Sequence, residues 1–172
     1  GMKRMSKPRW QASLNQTLRQ RSNPPRVAVV GVGHELNGDD AAGLAVVRAL
    51  KSALSPCDRV LIVDAGPAPE NTTGLLRQFA PDLVLLIDAA QMDEPPGGVR
   101  WLCWQETTGI SASTHTLPLH MLAQYLVAEF GCEVALLGIQ PAANAINAPL
   151  SAVVEDAVDA VAAGVAAALS GL

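Results

Sequence analysis

The sequence predicts an α/β fold: a three-layer α/β/α arrangement with a mostly parallel, twisted sheet and helices on both faces. Three observations point there. Apolar runs rich in Val, Leu and Ile recur along the chain, as buried parallel strands require. Helix-period patterns fall between those runs, in the alternation that builds parallel sheets. Aromatic residues make up only 3% of a chain that is 49% hydrophobic, so the core rests on aliphatic side chains.

Four runs read as buried strands: "RVAVVG" from Arg26, "RVLIVDAG" from Arg59, "DLVLLIDAA" from Asp82 and "CEVALLGI" from Cys132. The shorter "GVRWLCW" from Gly98 alternates and is expected at a sheet edge. Between them, residues 40–54 place Leu44, Val47, Leu50 and Leu54 on one side of a helix. Residues 69–79 start on Pro69 and offer Leu75, Leu76 and Phe79 for packing. Residues 116–130 gather Leu119, Leu122, Tyr125, Leu126 and Phe130 and stop at Gly131, a natural C-terminal cap. A last helix starts near Ser151, after Pro149, and "PAANAINAP" before it is a loop. With 172 residues and no internal repeat or linker, residues 26–172 are expected to form one domain.

Charge divides the chain. Residues 1–25 form a basic N-terminal arm, expected to be solvated and partly disordered or to touch a partner surface. Up to Arg26 there are Lys3, Arg4, Lys7, Arg9, Arg19, Arg21 and Arg26 and no acid. The remainder carries five basic residues against all 16 acidic ones, a formal balance of −11. An acidic body argues against nucleic-acid binding. No run is apolar and long enough to span a membrane, and the start lacks the apolar segment of a secretory signal. Cys57, Cys103 and Cys132 stand alone, without a C-x-x-C pair, so reduced thiols in a cytoplasmic protein are expected. A monomer is expected.

In open α/β sheets the site lies outside the carboxyl ends of the strands. There the sequence delivers "GHELNGDD" after strand one, Asp64 after strand two, Asp88 after strand three, and His115 in "SASTHTLPLH". The opening "GVGHELNGDDAAG" begins like a dinucleotide loop, but Leu36 stands where the third glycine belongs. Asp39 and Asp40 would repel a phosphate at the following helix start. No G-x-S-x-G elbow or H-E-x-x-H pair exists; Ser111 and Ser113 are only sequence neighbours of His115. Two carboxylates and an imidazole, Asp40, Asp88 and His115, would together suit a borderline divalent ion such as nickel or zinc. Each also has an ordinary reading: Asp40 as a helix cap, Asp88 and His115 as partners of nearby backbone.

Taken together, "VAVVGVGHELNGDDAAGLAVVRAL", "VDAGPAPENT", "DLVLLIDAAQMDEPPGGVR", "STHTLPLHML" and "LLGIQP" resemble the hydrogenase maturation endopeptidases. "APEN" and "GIQP" are most similar to the branch serving formate-hydrogenlyase-type hydrogenases. The likeness runs from about Val27 to the last helix and leaves the basic arm uncovered. It implies an aspartyl-type peptidase. Its action would be to clip the C-terminal extension from the large-subunit precursor of a nickel–iron hydrogenase after nickel insertion. It also implies that Asp40, Asp88 and His115 contact nickel carried by that precursor, the resting enzyme being metal-free. His34 departs from the family's asparagine and is expected to occupy the turn. For hydrolysis the candidate catalytic carboxylates are Asp40, Asp88 and Asp64; Asp64 is a candidate base, or else orders the "DAG" turn. Two other readings stay open: a zinc hydrolase with its own metal, and a metallochaperone-like module that holds the precursor without cutting it.

Overall fold

The computed structural model describes residues 7–113, 117–143 and 145–172. In chain order it contains α1 (Arg9–Arg19), β1 (Val27–Val32), α2 (Ala42–Ala53), β2 (Val60–Gly66), α3 (Thr73–Phe79) and β3 (Leu83–Gln91). Then follow β4 (Val99–Cys103), β5 (Ser111–Ala112), α4 (Leu119–Phe130), β6 (Glu133–Ile139) and α5 (Ala152–Leu169). The sheet runs β2-β1-β3-β6-β4. The first four of these are mutually parallel; β4 joins β6 antiparallel at the edge, and β5 pairs antiparallel with the end of β3. The three-layer α/β/α expectation and the edge position of the "GVRWLCW" run are both met.

Strand parity sorts the side chains onto two cores. Val27, Val29, Leu83, Leu85, Ile87 and Leu137 pack beneath α1, α2 and α5. Ala28, Val30, Val84, Leu86, Val134 and Leu136 pack beneath α3 and α4. Both faces are therefore covered, which is why the strands read as unbroken apolar runs. Trp101 and Trp104 cover these two cores respectively. The three thiols are free cysteines.

The helices start later than the sequence pattern suggests. Residues 38–41 and 69–72 are single 3-10 turns that lead into α2 and α3. Gly131 stops α4 in the left-handed region at φ 62°, as a glycine cap does.

The arm reading needs a correction. Residues 9–19 are a helix that completes one face of the domain. Trp10, Leu14 and Leu18 recur every four residues and are buried against the core under α5 and β4. Trp10 lies so close to α5 that a Cβ at Gly164 would come within 2.4 Å of its ring. The basic residues after α1 serve the body. Arg21 pairs with Glu133 at 3.4 Å. Arg26 donates through its backbone N–H to Asp82 Oδ2, while its guanidinium stacks 4.3 Å over the Phe79 ring. The acidic partners of Arg21, Asp82 and Glu133, thus lie on the domain that the arm was expected to stand away from.

Candidate active site

The loop after β1 is wound tightly by its glycines. A Cβ at Gly33 would meet the Asp40 carbonyl oxygen at 2.1 Å, and one at Gly43 would meet the carbonyl oxygens of Ile87 and Val32 at 2.1 and 2.4 Å. The close approach of helix to sheet that a nucleotide fingerprint assigns to its third glycine is met here by Gly43. The His34 N–H donates to the Asp40 carbonyl at 3.1 Å, and the His34 carbonyl accepts from Asn37, so the His34 backbone closes the turn.

The two adjacent aspartates have different neighbours. Asp39 is fully buried and faces the loop before α5. Its carboxylate accepts from the backbone N–H groups of Ala142 and Ala143 at 2.8 Å each, from that of Ser151 at 2.7 Å, and from the Ser151 hydroxyl at 2.8 Å. Burial pushes this carboxyl up. The N–H donors of Ala143, Ser151 and Ala142 with the Ser151 hydroxyl outweigh that and hold it below its usual value. Asp40 is half-buried and lines a shallow crevice with Ala90, Gln91, Ser113 and Pro141.

Asp88 lies within the buried part of β3, which runs on through Ala90, and has no exposed surface. It has the parity of Val84 and Leu86, so it points toward the α3 and α4 side. The short strand β5, pairing Ala112 with Ala90, brings up Ser113, whose hydroxyl donates to Asp88 Oδ1. Asp88 Oδ2 is buried and has no hydrogen-bond partner among the described residues. Burial drives the Asp88 carboxyl well above the ordinary carboxylate range. Hydrogen bonds from the Ser113 hydroxyl and from the backbone of Ser113 and Ala89 oppose the rise, and the negative charge of Asp40 adds to it. The two carboxyls are thus within electrostatic reach of each other.

His115 lies outside the described residues, two positions after Ser113 in the chain. Among the described residues no group of three or more His, Cys, Asp or Glu side chains forms a ready metal cluster. The structure brings Asp40 and Asp88 together and leaves Asp64 elsewhere. Asp64 shares the parity of Val60 and Ile62, which pack on the opposite core. Its carboxylate accepts from Arg48 Nε of α2 at 3.1 Å and from the Gly66 N–H at 3.3 Å. The Gly66 N–H contact is the one a residue ordering the "DAG" turn makes.

Three contributors escaped the sequence reading. Asp39 as a loop clamp was visible only as half of a doublet. Ser113 depends on a two-residue strand too short for any periodic signal. Gln140 explains "GIQP": its Oε1 accepts from the Met92 N–H at 2.8 Å and its Nε2 donates to Gln91 at 2.7 Å, locking the ends of β3 and β6 together.

Comparison with known proteins agrees with this fold. A family model described as hydrogenase maturation protease, HycI, matches residues 44–168, more than half of the chain. The match includes Asp88 and begins just after the loop that holds Asp40. The hydrogenase 3 maturation protease of Escherichia coli K12 is 34% identical over 131 residues, covering 76% of this chain and 82% of its own. The crystal structure of a [NiFe] hydrogenase maturation protease, HycI, from Thermococcus kodakarensis is similar with a TM-score of 0.82 at 30% identity. That match covers 91% of this chain and 98% of the other. The solution structure of an endopeptidase, HycI, from Escherichia coli matches with a TM-score of 0.69 at 29% identity, over 80% and 86% of the two chains.

Proposed function

The chain belongs to the hydrogenase maturation protease family, a family of peptide hydrolases, and from that premise we propose that it trims the large-subunit precursor of a nickel–iron hydrogenase once nickel is in place. In this reading the nickel arrives with the substrate, and Asp40, Asp88 and His115 read its presence. The observation that carries the proposal is the buried Asp88 carboxyl, whose Oδ2 has no hydrogen-bond partner among the described residues and which lies within electrostatic reach of Asp40 in the crevice wall. A buried carboxyl oxygen without a partner is costly, by about 1–3 kcal/mol, and such a group fits a site that a ligand completes. Two carboxylates and an imidazole are hard and borderline donors that suit nickel.

In this reading an ionised carboxylate takes a proton from water as the water oxygen attacks the scissile carbonyl carbon; the carbon–nitrogen bond then breaks and that proton passes to the leaving amine nitrogen. We assign that role to Asp40. It is half-buried and acts on Asp88 as a negative charge, whereas burial holds Asp88 toward its neutral form. Asp64, bound by Arg48 on the far face, has no part in it.

The test is a gel-mobility assay with a cognate large-subunit precursor, loaded with nickel or free of it. The wild-type protein is expected to shorten the loaded precursor only, and Asp64→Asn to do so within about threefold of the wild-type rate, since removing one exposed ion pair costs about 1 kcal/mol or less. Cutting of the nickel-free precursor by a protein that holds stoichiometric zinc would favour a zinc hydrolase instead. Tight binding of the loaded precursor without shortening would favour a holding module.

A further inference from the structure

The loop before α5 does more than close the fold. No charged residue lies between Glu133 and Glu155, and within this stretch Ile146 is 78% exposed. Across from it, in the loop after β1, Leu36 is 65% exposed. The two loops are stitched side by side. The Asn147 N–H donates to the Leu36 carbonyl at 2.6 Å, the Gly38 N–H donates to the Ala148 carbonyl at 3.1 Å, and Asn37 bridges to Ala148 in parallel. Asn147 turns the chain at φ 61°, a left-handed conformation that asparagine adopts more readily than other non-glycine residues. Beneath this seam Asp39 fastens the same loop through Ala142, Ala143 and Ser151.

This seam is continuous with the crevice. Pro141, at the start of the loop, lines it beside Asp40, and the His34 N–H at the other end of the Leu36 turn binds the Asp40 carbonyl. This stretch is exposed and uncharged on a chain whose body is strongly acidic, and Asn147 and Ala148 tie it to the loop after β1. An apolar rim tied down by backbone hydrogen bonds binds at lower ordering cost than a free loop.

We propose that Leu36 and Ile146 form an apolar lip that seats an uncharged, aliphatic segment of the precursor next to the scissile bond. The proposal rests on the reading of the chain as a precursor-processing peptidase. It adds a second contact, independent of nickel, that selects the polypeptide. Nickel at the crevice then reports that the precursor is loaded, and the lip reports which chain carries it. An acidic or strongly polar segment would be rejected there, since its charges would be desolvated against side chains that offer them nothing.

The test compares wild type with the double variant Leu36→Ser/Ile146→Ser, reading equilibrium binding of the nickel-loaded precursor by biolayer interferometry and its shortening on a gel. Both side chains are exposed, so the melting temperature is expected to stay within about 2 °C of wild type. Binding is expected to weaken about tenfold, the loss typical when anchoring apolar contacts are truncated. With substrate in excess, the maximal cutting rate is expected to stay within about threefold, because the lip holds ground state and transition state alike. Equal binding by the two proteins overturns the lip, as does a fall in maximal rate with unchanged binding. If wild type binds, the double variant binds weakly and neither cuts, the lip stands and the peptidase reading falls.

Discussion

Replacing Asp39 with alanine is expected to destabilise the fold by about 3–5 kcal/mol, a fall in melting temperature of roughly 10 °C. The side chain is fully buried and its two oxygens accept from three backbone N–H groups and one hydroxyl. Alanine leaves those donors buried without partners, and each such loss costs about 1–3 kcal/mol. The loop before α5 is then expected to detach from the Asp40 turn, and precursor binding to weaken with it. The pH dependence has a defined sign. The donors hold the folded carboxyl below its usual value of 3.8, so the stabilisation is complete above that value and is lost as acid titrates the folded group below it. Thermal unfolding followed from pH 7 to pH 3 is expected to show wild type losing stability toward the acid end more steeply than Asp39→Asn. A variant that melts within 2 °C of wild type (a shift of under about 1 kcal/mol) would show that the clamp does not hold the loop.

Asp88→Asn is expected to separate activity from stability. Cleavage of nickel-loaded precursor should fall on the order of 10³-fold, the scale at which single acid–base or ligand groups act in peptidases. Stability should hold or rise, by about 1 kcal/mol and 2–4 °C, because the wild-type carboxyl sits in the core with one oxygen unpartnered among the described residues. Burial raises the folded value of this group above its unfolded value of 3.8. Its linked effect therefore runs opposite to that of Asp39: wild type loses stability as pH climbs from about 4 through the raised folded value, and Asn removes that loss. Asparagine can still accept from the Ser113 hydroxyl, so the β5 contact is expected to survive. An Asp88→Asn protein that cuts normally would remove Asp88 from the site.

The layered fold was readable because its signals are local. Apolar runs of strand length, helix-period segments between them and Gly131 as a stop all depend on neighbours in sequence. What misled was context. α1 carries arginines and glutamines over a stripe of only three apolar residues, so its charge masked a helix that Trp10 anchors in the core. Asp64 lies near the carboxyl end of β2, and only strand parity together with Arg48 of α2 reveals that it faces the other layer. The Asp39–Asp40 doublet showed that an acid was wanted at the turn. It did not show that the first acid turns inward to hold backbone and the second lines the crevice, because the loop that Asp39 binds lies more than 100 residues further on. Ser113 reaches Asp88 through a pairing of two residues, below the reach of any pattern.

The proposed recognition of nickel on the precursor can be tested without waiting for cleavage. Wild type and Asp40→Ala are each titrated with nickel-loaded and with nickel-free precursor, and the four affinities compared. Wild type is expected to bind the loaded form at least about tenfold more tightly, a coupling of roughly 1.4 kcal/mol. Asp40→Ala, folded to the same melting temperature, is expected to bind both forms alike. Equal affinity of wild type for the two precursors, or a preference for nickel that survives in Asp40→Ala, would contradict a crevice built to read the metal.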